Sequence, residues 1–304
     1  MYKISVVIPT HNRCSILVSA LKSFENQTIS KEDYEVIIVN NGSADCTEKE
    51  IEVFKNKSLL DVRYFKIEQP SASKARNLGI LNARYNLILN TDDDIIATEN
   101  LLEEHIKFHK NFNSNGNIAV LGYTTWHNSL RVTNFMRFIN EYGPQFGYSL
   151  IKDETDLPFN YFYSSNVSIP KRFLLKNEIF DEDFPEYWYD TELGYRLKQK
   201  GLRIMLNKNA IAYHLHPTSI FSFLKRQYKV GKFANLLYLK HPELKYLLFP
   251  SVICIDKLNA PIRKSDLFRL NLSLKFYNLL IKFCYSKGFK SGVKSLSIFN
   301  PHLF

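Results

Sequence analysis

Leu87-Ile-Leu-Asn-Thr-Asp-Asp-Asp-Ile95 joins a short apolar run to three consecutive carboxylates. An apolar core holds no place for three adjacent charges, since burying even one unpaired costs on the order of several kcal/mol. The strand predicted over Asn86–Asn90 must therefore end at the carboxylates, and these must face water or a cation. Strand alternation puts Asp92 and Asp94 on one side and Asp93 on the other. Two carboxylates at the carboxyl end of a strand offer hard oxygen ligands to Mg2+ or Mn2+. That edge is also where open α/β sheets bind their ligands. The triplet by itself reads equally as a solvated acidic turn ahead of a helix starting near Thr98. The flanking segments separate the two readings.

On the N-terminal side, Ile4-Ser-Val-Val-Ile8 reads as a buried strand followed by the loop Pro9-Thr-His-Asn-Arg13 and an amphipathic helix over about 15–26. Val36-Ile-Ile-Val39 is a second strand, closed by Asn40-Asn-Gly-Ser43. Asp45 is placed to cap the next helix, with Glu48 three residues on as in a capping box. Val62-Arg-Tyr-Phe65 is a third strand, and a helix runs from Ser71 to about Ala83. Strands alternating with helices four times in about 100 residues mean βαβ units and a mainly parallel sheet. No Gly-x-Gly-x-x-Gly follows the first strand, which disfavours a dinucleotide fold of the usual kind.

On the C-terminal side, residues 116–216 carry strands at 118–122, 166–169, 203–206 and 210–213. Aromatic loops surround Trp126 and Tyr142–Tyr148, and a helix over 191–200 stops at Gly201. Residues 1–216 are near neutral, with 25 Lys and Arg against 27 Asp and Glu, whereas residues 217–304 hold 15 against three. A helical tail so basic points to an anionic partner. Cys14, Cys46, Cys254 and Cys284 are widely spaced, which argues against zinc and against a disulfide framework and suits a reducing compartment. The first residues do not form a signal peptide, and no run approaches the roughly 20 apolar residues of a membrane-spanning helix.

The loops after successive strands converge on one sheet edge, contributing Thr10–Arg13, Asn40–Ser43, Ser73–Asn77 and Asp92–Asp94. Hydroxyls, amides and two arginines beside a metal site suit a nucleoside diphosphate. At this point the chain resembles the family 2 inverting glycosyltransferases of GT-A fold. Val6-Val-Ile-Pro-Thr-His-Asn-Arg13 is similar to that family's opening strand and loop, and Glu35–Asp45 to its second. Ser73-Lys-Ala-Arg-Asn-Leu-Gly-Ile80 resembles its Ser-x-Ala-Arg-Asn-x-Gly-Ile helix, Asp92-x-Asp94 its Asp-x-Asp motif, and Tyr189-Asp-Thr-Glu-Leu-Gly-Tyr-Arg-Leu197 its Glu-Asp-x-x-Leu-x-x-Arg segment.

The resemblance implies an α/β fold of GT-A type, Rossmann-like, with residues 1–115 as the nucleotide-sugar half, 116–216 as the acceptor half and 217–304 as a basic helical extension. It implies a UDP-, GDP- or dTDP-sugar held by Pro9, Thr10, Asn12, Arg13, Asn40, Ser73, Arg76, Asp92 and Asp93. Mn2+ or Mg2+ would be bound by Asp92, Asp94 and one of His214 and His216, whose imidazoles share a side of their strand. Asp190 would be the general base that an inverting transfer requires, although a carboxylate starting a helix also reads as an N-cap. Ser165, Asn166, Trp188 and Tyr189 would line the acceptor cleft. Tyr189 stands where the family has Glu, and Asn40 where it commonly has Asp. Glu192 and Arg196, four apart, read as a surface pair.

The expected function is metal-dependent transfer of a sugar to a hydroxyl of a glycan or lipid-linked acceptor, in surface polysaccharide or glycolipid synthesis. The expected place is the cytoplasmic face of an anionic membrane, met by the basic amphipathic stretch Phe221–Phe233; no nucleic-acid module is recognisable. The alternatives are a non-catalytic nucleotide-sugar-binding scaffold of the same fold, and a nucleotidyltransferase. The latter would need a glycine-rich loop where Thr10-His-Asn-Arg13 stands.

Overall fold

Ile4-Ser-Val-Val-Ile-Pro-Thr10 forms β1, and its residues from Ile4 to Ile8 are fully buried. A strand covered on both faces shows a near-continuous apolar run, as in parallel α/β sheets. The one polar residue between Ile4 and Ile8, Ser5, donates to Glu35 of the neighbouring strand. The computed structural model describes residues 3–112, 115–248 and 264–299. These form two units, Met1–Val132 with Tyr148–Pro217, and Thr133–Gly147 with Thr218–Phe304.

In the first unit, β1 (Ile4–Thr10), β2 (Tyr34–Asn41), β3 (Val62–Ile67) and β4 (Leu87–Thr91) run parallel, linked by α1 (Cys14–Glu25), α2 (Thr47–Lys57) and α3 (Ala72–Asn82). Then come β5 (Ile95–Ala97), α4 (Leu101–Phe112), β6 (Ile118–Trp126), β7 (Asn166–Pro170), α6 (Lys171–Lys176), α7 (Tyr189–Gln199) and β8 (Arg203–His214), with α5 (Asn134–Glu141) belonging to the second unit. The sheet order is β3-β2-β1-β4-β7-β6-β8-β5. β7 runs antiparallel to both β4 and β6, so the sheet is mixed beyond β4.

One face of the sheet packs Val6, Ile8, Val36, Ile38, Leu87 and Leu89 against Leu17, Leu21 and Phe24 of α1 and Leu101, Leu102 and Ile106 of α4. On the other face α3 lies close. A Cβ on Gly79 would stand 2.4 Å from Val7 Cγ1, so only glycine permits this approach. That seating carries Arg76, three residues earlier, to the end of β4.

The sequence places two strands at 203–206 and 210–213; the structure has one, β8. Its pairing with β6 jumps from Gly122↔Asn207 to Tyr123↔Ile211, so the polar residues Lys208 and Asn209 sit in an irregularity rather than a turn. The short strand β5 was not anticipated; it pairs antiparallel with the end of β8, Ile95 opposite His214.

In the second unit α8 (Ile220–Lys240) opens on a Ser219–Ser222 capping box and is followed by α9 (Lys245–Leu248) and α10 (Lys264–Phe299). α8 and α10 touch backbone to backbone. A Cβ on Gly231 would meet Tyr285 O at 2.1 Å, and one on Gly288 would meet Tyr228 O at 1.9 Å. Phe223, Gln227, Ala234 and Leu237 of α8 are buried, while Phe221 is 68% exposed. Phe135 of α5 stacks edge-on against Phe223 and Tyr277. Residues 133–147, assigned by the sequence to the acceptor half, therefore pack with the C-terminal helices. Among the described residues no helix is long and apolar enough to cross a membrane; Cys254 lies outside them.

Candidate active site

The strand β4 stops at Thr91, and the three carboxylates form a turn in which Ile95 N donates to Asp92 O. Strand alternation therefore does not govern them. Asp92 turns to α3, where Arg76 Nη2 donates to its Oδ1 at 2.5 Å and Arg76 Nη1 to Thr91 O at 3.2 Å. Asp93 and Asp94 turn together toward the β1 loop. Arg13 Nη1 donates to Asp93 Oδ1 at 3.1 Å and to Asp94 Oδ2 at 2.9 Å, and Thr10 Oγ1 donates to Asp93 Oδ2 at 2.8 Å. The expected pairing of Asp92 with Asp94 on one side is thus replaced by Asp93 with Asp94.

Burial and the neighbouring carboxylates push the Asp93 carboxyl up to about 6 against the pull of Arg13. At Asp94 burial also pushes upward, but His214, Arg13 and His216 outweigh it and hold the group well below the usual carboxylate range. His214 Nδ1 lies 3.5 Å from Asp94 Oδ1, an oxygen that is buried and makes no hydrogen bond among the described residues. A buried carboxylate oxygen beside an imidazole nitrogen is a donor pair that Mn2+ or Mg2+ accepts, the remaining positions being left to phosphate and water. His216, two residues on, is exposed, and burial followed by the Arg13 charge lowers its pKa.

The β1 and β2 loops are tied to each other. Asn12, at φ +54°, donates its N–H to Ser43 Oγ and accepts from Ala44 N at its Oδ1; Cys14 N donates to Asp45 Oδ2. Cys14 and Cys46 are disulfide-bonded, with Cα atoms 5.7 Å apart. The wide sequence spacing concealed this, because the pairing of β1 with β2 brings the two loops together. Asp45 binds Thr47 N and Oγ1 and Cys14 N, and no side chain caps α2, so the expected capping box is absent. Asn40 is occupied at both ends: its Oδ1 accepts from Ser43 N and its Nδ2 donates to Tyr64 Oη. It shapes the Asn-Gly-Ser turn rather than presenting a free amide. Ser73 is fully buried against Ser71, the residue that caps α3.

Tyr189 and Asp190 open α7. The guanidinium of Arg76 lies 5.6 Å from the centre of the Tyr189 ring. Burial raises the Tyr189 phenol, Arg76 lowers it, and both Asp190 and Asp92 raise it. Asp190 is half-buried, accepts from Thr191 N at 2.8 Å and lies near Tyr163, whose phenol is pushed well up by burial and by neighbouring charges. Trp188 holds φ +68° at the start of the helix. Tyr189 thus meets Arg76, the partner of Asp92, and is followed directly by Asp190.

The residues expected to line an acceptor cleft divide. Ser165 is 7% exposed; its O accepts from Thr91 Oγ1 and its Oγ has no hydrogen-bond partner among the described residues. Asn166 faces inward instead, with its Oδ1 on His105 Nε2 and its Nδ2 on Ala210 O. His105 and His109 both reach Ser168 Oγ. This buried network was missed, although His105 and His109 are four apart on the apolar face of α4. Glu192 and Arg196 are no surface pair. Glu192 is 1% exposed, and Arg196 grips it through Nε and Nη2 while donating to the carbonyls of Asn177, Glu178 and Ile179. With Asn77 bonded to Phe180 and Glu182, this clamp fixes the segment that delivers Tyr189 and Asp190.

Residues 5–184 match the family model described as Glycosyl transferase family 2. The chain belongs to glycosyl transferase family 2. Among relatives of this family 2 chain, chondroitin synthase of Escherichia coli is 27% identical over 244 residues, an alignment covering 70% of this chain and 35% of that one. The chain therefore spans about a third of that relative. The fold is that of the GT-A structures. TarS 1–349 of S. aureus in complex with UDP superposes with a TM-score of 0.57 at 16% identity, over 96% of this chain and 92% of that one. The mannosyltransferase PcManGT of Pyrobaculum calidifontis, in complex with GDP-Man and Mn2+, superposes at 0.59 and 14% identity, over 99% and 82%.

Proposed function

We propose that this chain is an inverting glycosyltransferase that moves a sugar from a nucleotide-sugar donor to a hydroxyl of a surface polysaccharide or glycolipid. The observation that carries the reading is the meeting of Asp94 and His214, beside Arg13, at the carboxyl edge of a family 2 sheet. Asp94 and His214 would hold Mn2+ or Mg2+, which when bound neutralises charge on the departing nucleoside diphosphate. UDP and GDP-Man, the ligands of the two solved neighbours, name the donor classes to test first.

Arg13 bridges Asp93 and Asp94, so a diphosphate entering the site offers it a second set of anionic oxygens. Arg76 fixes Asp92 at the rim, where a third of the carboxylate is exposed to a ribose. Asp190 takes the proton from the acceptor hydroxyl as its oxygen attacks the anomeric carbon. Ser165, whose Oγ makes no hydrogen bond among the described residues, supplies a hydroxyl to the acceptor. We further propose that the second unit meets an anionic membrane. Phe276, Leu279 and Phe283 of α10 are each more than half exposed, with the Lys287 ammonium 4.8 Å from the Phe283 ring centre. Such an apolar stripe flanked by cations suits an interfacial helix.

The test is a thermal-shift screen of UDP-, GDP- and dTDP-sugars with and without Mn2+. A true donor adds about 2.7 kcal/mol of stability at about a hundredfold excess over its Kd. No shift with any donor would remove the reading.

A further inference from the structure

The edge of the sheet opposite the carboxylates holds a cleft of about 1030 Å³. It is bounded by the starts of β1, β4 and β6, the end of β7, and α6. Leu87 lines it and Asp92 lies five residues along, so the two places are about 16 Å apart at the rise of an extended strand. Lys3, Arg84, Arg172, Lys176 and Lys200 line the cleft, and no carboxylate does.

Two of these cations are already engaged. Lys3 pairs with Asp33, and Arg84 with Asp61 and the buried Glu35. Arg172, Lys176 and Lys200 make no ion pair among the described residues, and all three are exposed. Helix C-termini attract lysines on their own account, which covers Lys176 and Lys200 taken singly. It does not cover Arg172, nor a lining without one negative charge. The platform is fixed: Lys171 N donates to Asn86 O, and Lys171 Nζ to Leu81 O and Ala83 O, so α6 is pinned to β4 and to the end of α3.

Tyr85, Phe173 and Pro170 line the cleft with the cations, as does the exposed Asn86, and the Lys3 ammonium lies 5.6 Å from the centre of the Tyr85 ring. The volume stands at the upper end of the roughly 300–1,000 Å³ of small-ligand sites, which is more than one small anion needs. We infer that this cleft is a binding site for an anionic glycan chain, whose carboxylates or phosphates meet Arg172, Lys176 and Lys200 while its rings lie on Tyr85 and Phe173. Arginine and lysine supply the charge-assisted hydrogen bonds such groups take. The site is an anchor remote from the reacting hydroxyl. The choice of a sugar chain rests on the glycosyltransferase reading.

The test is fluorescence anisotropy on the full chain with a labelled galacturonate decamer and with neutral maltodecaose. The parent is compared with the variant R172E/K176E/K200E, three surface changes whose folding is checked by circular dichroism. The variant is expected to bind the galacturonate decamer about tenfold or more weakly, the size that three exposed ion pairs reach together. The parent is expected to prefer the charged decamer and to lose affinity as salt rises. Equal binding by parent and variant, or equal binding of the neutral decamer, would overturn the site. Donor thermal shifts are measured on both proteins in parallel. Decamer binding that depends on the three residues, without any donor shift, would strike the transferase reading and leave the cleft. A donor shift with unaltered decamer binding in the variant would strike the cleft alone.

Discussion

Arg76 Nη2 stands 2.5 Å from Asp92 Oδ1, with the arginine side chain 1% exposed and the carboxylate 34%. Removing one partner of a buried pair leaves the other charge without compensation. Asp92→Asn is expected to lose about 2 kcal/mol, the partial exposure of the carboxylate holding it below the roughly 3–5 kcal/mol of a fully buried pair. In an Arg76→Met background the same change is expected to cost well under half as much. Urea denaturation of the four proteins checks the coupling; additive losses would mean that the pair does not interact.

Asp94 and His214 form the other half of the proposed site. Asp94→Asn and His214→Gln are each expected to abolish the Mn2+-dependent part of the donor-induced thermal shift, read against each variant's own melting temperature without ligand, which Asp94→Asn lowers because Arg13 loses a buried partner. His216→Gln, exposed and farther from the carboxylate, is expected to change the shift little. A Mn2+ titration of each variant, followed by melting temperature, separates the three.

Two buried histidines make the fold acid-sensitive. Burial pushes His105 down to about 4, against the pull of Asn166, and His109 down to about 3, the latter also through His105. The folded-state values lie below the ordinary 6.5, so the unfolded chain binds more protons as pH falls through 6.5, and stability is lost there. At pH 5 each histidine is expected to cost about 2 kcal/mol relative to pH 7. Asp93 runs the other way, gaining its proton earlier in the fold than out of it, so the variant His105→Gln isolates the histidine share. Denaturation at pH 7 and pH 5 is expected to show a smaller acid loss in His105→Gln than in the parent.

Gly79 sets the seat of α3. Gly79→Ala places its Cβ 2.4 Å from Val7 Cγ1, a stiff β-branched neighbour, and is expected to cost about 1–3 kcal/mol. Val7→Ala added to it is expected to recover part of the loss. Denaturant midpoints of the two single variants and the double variant check this.

Much of this architecture was legible in the sequence because periodicity records burial. The β1, β2 and β4 runs are buried on both faces and mainly apolar, the polar Ser5 and Glu35 satisfying each other, and Ser71, Ala72–Asn82 and Gly201 follow capping rules closely. What escaped depends on contacts between distant residues. The turn of Asp92 away from Asp94 is set by Arg76 sixteen residues earlier, and a short edge strand such as β5 has too few residues for a period. Asn166 carries the same amide whether it faces a cleft or His105, so only the fold distinguishes them. The Cys14–Cys46 bond likewise follows from loop proximity, and no spacing rule announces it.

Asp190→Asn bears most directly on the proposed reaction. Sugar transfer and donor-induced melting shift are measured on the same preparation, with the donor that gives the largest shift. The variant is expected to keep the Mn2+-dependent donor shift of the parent and to transfer sugar about a hundredfold or more slowly, the size of a lost general base. Transfer by Asp190→Asn at the parent's rate would contradict the assignment of Asp190 and, with it, the single-displacement reaction built around it.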